Sequence, residues 1–417
     1  MKPLQRLAIP VLTGMLVVVP VVWAFPESLP LWRGLGIVLG WIGVGLLLAS
    51  LLLMLREPAL AEAIGGLERM YRWHHGVGLV AYIVLLLHPL ALATEAWKEG
   101  PHVAWQTLSP ASQGWAVWLG WASLLCLMAG MAASVMPALP YRRWRLLHGL
   151  LGIGVLLGLA HLVLLGFDAI TFTAVVLALL LLAWRTLRVD LGLAARPYVV
   201  ASVRYVAATT VEVGLRPLAN ALVAAPGQFI MVAFSDGPHF RGCREYHPFT
   251  VSAIAPGGDL DIGIKALGDC TRVMQSVENG VAARVQGPFG TFLMQRPAAP
   301  EVWIAGGIGI TPFVAALRSA APALPTTLIY LYRSDEDAPY LAELRELTAQ
   351  TRSLTLIAHA TGDALPDMNA VLAESLDLPD RQCYLCGPPG LIAAAEHALH
   401  ARGTDATRIH YEKFDFR

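Results

Sequence analysis

The sequence predicts a multidomain membrane protein: a six-helix transmembrane bundle, then an antiparallel β-barrel, then an α/β Rossmann-like domain. Three observations carry this reading. The chain has 417 residues, more than one domain ordinarily holds. It is 56% hydrophobic and 14% charged, too apolar for a soluble enzyme, and the excess is confined to residues 1 to about 190. From about Arg196 the pattern changes to short alternating segments, and then to strands separated by helical stretches. The domain limits expected are 1–192, 193–297 and 298–417. A formal net charge of zero gives no electrostatic case for nucleic acid. Five cysteines, an odd number without a regular framework, argue against a disulfide scaffold. Cys383-x-x-Cys386 has metal or redox spacing, but no second pair completes a zinc site and the stretch reads as a buried strand, which favours a structural role.

A helix needs roughly 20 apolar residues to cross the hydrocarbon core. Six stretches qualify, at about 8–25, 33–55, 74–94, 115–136, 147–166 and 169–187. Lys2, Arg6 and the apolar run behind them also suit a signal peptide, but Trp23 and Phe25 occupy the place of a small-residue cleavage site, so a retained span is the better reading. With the N-terminus inside, the cytoplasmic side carries Lys2, Arg6, Arg56, Arg69, Arg72, Arg142, Arg143, Arg145, Arg185 and Arg188, whereas the outer side carries only Arg33 and Lys98. That bias places the soluble half in the cytoplasm, as for a bacterial inner (plasma) membrane protein.

The third and fifth spans hold histidines in matched positions. Imidazole within a span is costly and marks a functional site by default. His74 and His88 are fourteen residues apart, a rise of roughly 21 Å, and His148 and His161 are thirteen apart, a rise of roughly 19.5 Å. Two pairs at two depths accommodate two stacked iron porphyrins, the inner between His74 and His148 and the outer between His88 and His161. Two neutral imidazoles per iron leave no open site for a gas and suit electron transfer. A lone histidine in a span serves more often as a helix–helix hydrogen bond; two matched pairs outweigh that reading. At about 100° per residue, fourteen residues return within about 40° of one face, but thirteen miss by about 140°. The fifth span therefore requires a π-bulge, a tightened turn or a tilt, for which Gly149, Gly152, Gly154 and Gly158 are suited, and these glycines would also let a flat macrocycle approach. His75 repeats the thirteen-residue spacing to His88 and is the rival of His74. Topology alone accounts for Arg72, Arg142, Arg143 and Arg145, with pairing to the inner propionates as a second use.

In the soluble half, strands are expected at Val199–Val206, Thr209–Leu215, Gln228–Ala233, Phe249–Ala253, Leu260–Lys265 and Ala283–Gln286, separated by turns such as Pro226-Gly227, as in a small antiparallel barrel. A buried strand, Glu301–Ala305, then leads into Gly306-Gly307-Ile308-Gly309-Ile310-Thr311-Pro312 and an apolar helix. Strand, glycine turn and helix provide what a diphosphate needs, close backbone approach and a helix N-terminus, although Gly-Gly-x-Gly alone is a weak signal. Arg333, after the strand Thr327–Tyr332, stands where a 2′-phosphate would be met and favours NADPH; Asp335 keeps NADH open, and a plain surface cation is the bland alternative.

His247-Pro248-Phe249-Thr250-Val251-Ser252 resembles the flavin motif of the ferredoxin-reductase-like superfamily. Ile264 to Thr271 resembles its FAD pyrophosphate segment, and Gly287-Pro288-Phe289-Gly290 the turn that closes the flavin barrel. Gly306 to Pro312, Cys386-Gly387-Pro388 and the aromatic tail Tyr411 to Phe416 follow in the same order. With the four-histidine half in front, the whole chain resembles the ferric reductase and NADPH oxidase family in its short bacterial form. The resemblance implies that His247, Pro248, Phe249, Thr250 and Ser252 line FAD, with Thr250 or Ser252 bonded to the isoalloxazine ring. It implies that Lys265 and the backbone from Gly268 to Thr271 hold the pyrophosphate. Gly306, Gly307, Gly309, Thr311, Arg333, Cys386 and Gly387 would bind the nicotinamide nucleotide, and Phe416 or Phe414 would stack on the flavin. Thr250, Cys386 and Phe416 would then stand nearest the reacting atoms.

The activity implied is transmembrane electron transfer, from cytoplasmic NADPH through FAD and two b-type hemes to an extracytoplasmic acceptor, oxygen (giving superoxide) or a ferric chelate. Two other readings stay open: delivery to a periplasmic protein or a quinone, and a non-enzymatic transporter whose histidines relay protons or metal. Membrane lipids are the expected surroundings, and no segment calls for an obligate protein partner.

Overall fold

The computed structural model describes residues 3–23, 25, 28–136, 139–166, 168–294, 296–364, 366–373 and 378–412, with the backbone alone at 3–6, 141, 142 and 379. It divides into two compact units, Met1–Leu191 and Gly192–Arg417.

The first unit is helical: α1 (Pro3–Trp23), α2 (Leu31–Leu52), α3 (Pro58–Ile64), α4 (Leu67–Ala96), α5 (Pro101–Leu108), α6 (Trp115–Ser134), α7 (Tyr141–His148), α8 (Leu150–Leu165) and α9 (Ala169–Trp184). Among the described residues, five stretches are long and apolar enough to cross a membrane: α2, α4, α6, Arg143–Leu165 through α7 and α8, and Ala169–Asp190. The first predicted span is also a helix, but its apolar part, Leu7–Trp23, is shorter. Only 17–44% of each spanning window is buried within the unit. The outward side chains are apolar, as with Leu79, Val80, Ile83, Leu87 and Leu90 of α4, and a face of that extent belongs in lipid. The chain is a membrane protein. Small residues let the spans approach: Trp41 and Leu48 of α2 pack with Val155 and Leu159 of α8 and with Ala174 and Ala178 of α9.

One detail departs from expectation. The third span begins at Leu67, so His74 lies well inside a 30-residue helix rather than at its edge. After that helix, Pro101, following Gly100, starts α5. The irregularity required in the fifth span is a tightened turn at Gly149, whose carbonyl accepts from Gly152 N at 3.1 Å, an i to i+3 bond. Such a turn advances about 120° per residue instead of about 100° and so recovers part of the missing rotation between His148 and His161.

The second unit opens with β1 (Arg196–Ala207), β2 (Thr210–Pro217), β3 (Phe229–Phe234), β4 (His247–Ile254), β5 (Leu260–Lys265), α10 (Asp269–Val273) and β6 (Ala282–Phe289). These strands close an antiparallel barrel in the order β1-β2-β5-β4-β3-β6. Alternating Val, Ile and Leu fill its interior, among them Val213, Ile230, Val251, Ile262 and Val285. There follow β7 (Glu301–Gly306), α11 (Thr311–Ser319), β8 (Thr326–Tyr332), α12 (Leu341–Gln350), β9 (Leu354–Ala360), α13 (Met368–Ala373), β10 (Gln382–Cys386), α14 (Pro389–Ala401) and β11 (Ile409–Glu412). Their parallel sheet runs β11-β10-β7-β8-β9, with β7 fully buried at the centre. The chain turns from one side of β7 to the other there, which makes the carboxyl ends of β7 and β10 the switch point where such sheets bind ligands. Cys383 and Cys386 fall in separate cores on opposite faces of β10, so their spacing makes no dithiol pair.

Candidate functional site

Within the first unit, the four predicted histidines are half-buried and each is held through the same ring atom. His74 Nδ1 lies 2.8 Å from Ser50 Oγ and 3.1 Å from the Ser50 carbonyl. His148 Nδ1 lies 2.8 Å from Ser134 Oγ. His88 Nδ1 is 2.6 Å from the Gly36 carbonyl, and His161 Nδ1 is 2.7 Å from the Ala116 carbonyl. A carbonyl only accepts, so Nδ1 carries the proton in the outer pair, and in the neutral ring Nε2 keeps its lone pair. That is the state of a metal-ligating imidazole with its second nitrogen tied down.

Spacing adds a second test. Two imidazoles on opposite sides of one iron, each nitrogen about 2 Å from it, hold their ring centres roughly 6 Å apart. The rings of His74 and His148 are 6.3 Å apart. His75, the rival, is exposed. These side chains fit bis-imidazole heme.

The partners that hold the histidines all come from α2 and α6, which were not read from sequence as part of the site. The device repeats. The residue four beyond each outer carbonyl is a glycine, and a Cβ at Gly40 would stand 3.2 Å from His88 Nδ1, one at Gly120 3.0 Å from His161 Nδ1. Side chains there would crowd the imidazole off the carbonyl. Gly154 and Gly158 do not serve a macrocycle as expected, because they face Leu127 and Ser123 of α6. Gly152 does face open space.

In the second unit the sheet's switch point gathers the predicted nucleotide residues. Gly309 passes so close to β10 that a Cβ would lie 2.3 Å from the Cys386 carbonyl, and Gly307 has φ +52°. A Cβ at Gly387 would stand 3.1 Å from the backbone of Gly306. Thr311 is buried and donates to the Ile308 carbonyl at 2.6 Å, so it fixes the turn. Burial pushes the Cys386 thiol well up, with the Glu412 carboxylate adding to it, so this sulfur is a neutral wall and not a nucleophile. Arg333 is 66% exposed and paired with Asp363 at 2.7 Å.

The flavin motif divides. Ser252 is fully buried and donates to Glu212 Oε1 at 2.7 Å, which leaves Thr250 as the candidate for the ring. His247 Nε2 is buried without a hydrogen-bond partner among the described residues, the kind of orphan a bound group satisfies. Burial pushes the His247 imidazole down, against the pull of Glu245. Lys265 is not free: its Nζ lies 2.6 Å from Asp337, beyond β8, so a phosphate at this lysine competes with a carboxylate. Thr271 Oγ1 accepts from Leu267 N at 2.9 Å and Gly268 N at 2.8 Å, so it shapes the turn before α10. Cys270 is bonded to Cys243 in a disulfide that joins this turn to the loop before β4. No regular spacing announced that pair. Phe414 and Phe416 lie outside the described residues.

Beside the flavin strand sits a network not foreseen. Arg318, ending α11, places Nη1 2.7 Å from Glu212 Oε1 and 3.2 Å from the Ser252 carbonyl, and Nε 2.6 Å from Glu343 Oε1. Burial alone would raise the Glu212 carboxyl, but bonds from Arg318, Ser252 and Arg204 outweigh it and hold the group below its ordinary value.

Comparison with known proteins agrees with this layout. The family described as ferric reductase like transmembrane component matches residues 39–159, an FAD-binding domain family matches 196–302, and an oxidoreductase NAD-binding domain family matches 303–397. The ferredoxin reductase component of 3-ketosteroid-9-alpha-monooxygenase from Mycolicibacterium smegmatis is 29% identical over 213 residues, covering 49% of this chain and 60% of the relative. The flavohemoprotein of Vibrio cholerae is 28% identical over 203 residues, covering 45% and 51%. The chain thus spans about half to three-fifths of the length of these curated relatives. The solved FAD/NAD-binding domain of nitric oxide dioxygenase from Vibrio cholerae is 26% identical and covers 52% of this chain and 98% of that one, at a TM-score of 0.46, too low to carry an argument.

Proposed function

The chain belongs to the ferric reductase and NADPH oxidase family and is an NAD(P)H-dependent oxidoreductase, and from that premise we propose that it carries electrons across the membrane to an acceptor on the far side. The route proposed runs from cytoplasmic NADPH through FAD and two b-type hemes to oxygen or a ferric chelate. When bound, FAD converts a hydride into single electrons and the hemes relay them one at a time. The protein's own part is to hold, orient and insulate.

The observation that carries this reading is the uniform engagement of His74, His88, His148 and His161 through Nδ1. A proton relay, as in a transporter, needs no common tautomer, whereas four iron ligands do. His74 and His148 would hold the inner heme and His88 and His161 the outer. In the soluble unit, His247 Nε2 would meet the FAD pyrophosphate, Thr250 the isoalloxazine, and amides at the start of α10 the remaining phosphate oxygens. Gly306, Gly307, Gly309 and Gly387 would admit the nicotinamide nucleotide to the switch point, with Arg333 leaving Asp363 for a 2′-phosphate. The basic loops between spans support a cytoplasmic soluble half in a bacterial inner membrane.

Spectroscopy of the purified full-length protein tests this. Two hemes and one FAD per chain are expected, with b-type bands appearing after anaerobic NADPH addition. A preparation with flavin but no heme, expressed with heme supplied, overturns the reading. The acceptor is identified by comparing superoxide yield with and without excess ferric chelate.

A further inference from the structure

The two pairs of imidazoles are anchored by different chemistry, and this inference rests on the heme reading above. Outer ligands bond to backbone: His88 to the Gly36 carbonyl and His161 to the Ala116 carbonyl. Inner ligands bond to side chains: His74 to Ser50 Oγ and His148 to Ser134 Oγ. Ser134 Oγ also donates to the Gly130 carbonyl at 2.8 Å, so its proton is spent and its lone pairs face His148. His148 Nδ1–H is thereby the donor in that bond. Ser50 is backed by its own carbonyl, 3.1 Å from the same His74 nitrogen.

From this geometry we infer that Ser50 and Ser134 are positioning residues of the inner heme: they fix the tautomer and rotation of its two ligands and set its reduction potential apart from that of the outer heme. An acceptor on Nδ1–H makes an imidazole a better donor to ferric iron, and removing it raises the potential. Only in the inner pair does a side-chain change remove the acceptor itself, since the outer acceptors are peptide groups present whatever the residue. The two serines are unequal. Ser50→Ala leaves the Ser50-position carbonyl as acceptor, whereas Ser134→Ala leaves His148 Nδ1 with no acceptor among the described residues.

The test is a potentiometric titration of the two hemes in the full-length protein, wild type against Ser50→Ala, Ser134→Ala and Ser134→Thr. Ser134→Ala is expected to raise one midpoint and leave the other in place. Ser50→Ala should raise the same midpoint by less, and Ser134→Thr should restore the wild-type value. Equal shifts of both midpoints, no shift, or shifts of different hemes by the two alanine variants overturn the proposal. Should Ser134→Ala lose its heme, Ser134→Thr decides: wild-type midpoints support the assignment, and an altered midpoint or lost heme overturns it. A wild-type protein without heme sinks the underlying reading instead, an outcome distinct from hemes whose potentials ignore the serines.

Discussion

The membrane unit and the soluble unit both hold polar groups away from water, and they do it in opposite ways. In the bundle the groups are neutral imidazoles, each tied to a hydroxyl or a carbonyl of a neighbouring helix. In the soluble unit a full charge is buried as well, Glu212, which is 5% exposed and held by Arg318, Arg204 and Ser252. Lipid offers no relief to an ion that loses its partner, so the bundle uses groups that are merely polar. The soluble network uses full charges because water at its margins screens what the partners leave over. The first arrangement specifies direction and tautomer; the second specifies which segments meet.

Four substitutions probe that contrast, in falling order of effect. His148→Ala should abolish binding of one heme and leave the other, reducing the heme-to-chain ratio by half in a pyridine hemochrome assay. An unchanged ratio would break the neutral-ligand side of the comparison. Arg318→Ala leaves Glu212 with Arg204 and Ser252 alone and should destabilise the soluble unit by about 1.5–3 kcal/mol, read as a lower unfolding midpoint of that unit with heme bands intact. A loss below about 1 kcal/mol would place this network among ordinary surface pairs. Gly120→Ala sets a methyl against His161 and should cost about 1–3 kcal/mol of local packing, shifting the outer heme spectrum alone. Arg333→Ala should raise KM for NADPH about tenfold, roughly 1.4 kcal/mol, with little change for NADH; equal changes for both remove the 2′-phosphate role.

A pH series sharpens the comparison further. Glu212 titrates lower in the folded protein than its ordinary value of 4.5, so its contribution is present above about that pH and is lost as pH falls through the lower folded value. The soluble unit should lose stability on that acid limb, and Glu212→Gln should flatten it. A limb that stays the same in the variant assigns it to other carboxylates.

Much of this layout was legible in the sequence because it follows from periodicity and cost. Apolar runs gave the spans, alternation gave the barrel, and four imidazoles in oily sequence had to have a use. Ser50 and Ser134 were not legible. A serine in a span is cheap, since its hydroxyl can bond back one turn as Ser134 does to Gly130, so its presence carries no signal. Nor could sequence pair Arg318 with Glu212, 106 residues away, or show that Asp337 already occupies Lys265. The motif at 247–252 was read as lining FAD throughout, but Phe249 and Val251 point into the barrel core, and Ser252, on the same side of β4 as Thr250, is already taken by Glu212. Thirteen residues between His148 and His161 did announce an irregular turn, and Gly149 supplies it.

The bond between Cys243 and Cys270 has a consequence for whoever handles the protein. It closes a loop of 27 residues, worth about 3.5 kcal/mol on a chain-entropy account, around the start of the flavin motif. Reducing thiol buffers keep such pairs open, whereas air-equilibrated detergent solutions do not. The same polypeptide, purified with and without reductant, is therefore two materials with differently tethered flavin lobes, and a melting curve or a cofactor occupancy belongs to the redox history of the sample as much as to its sequence.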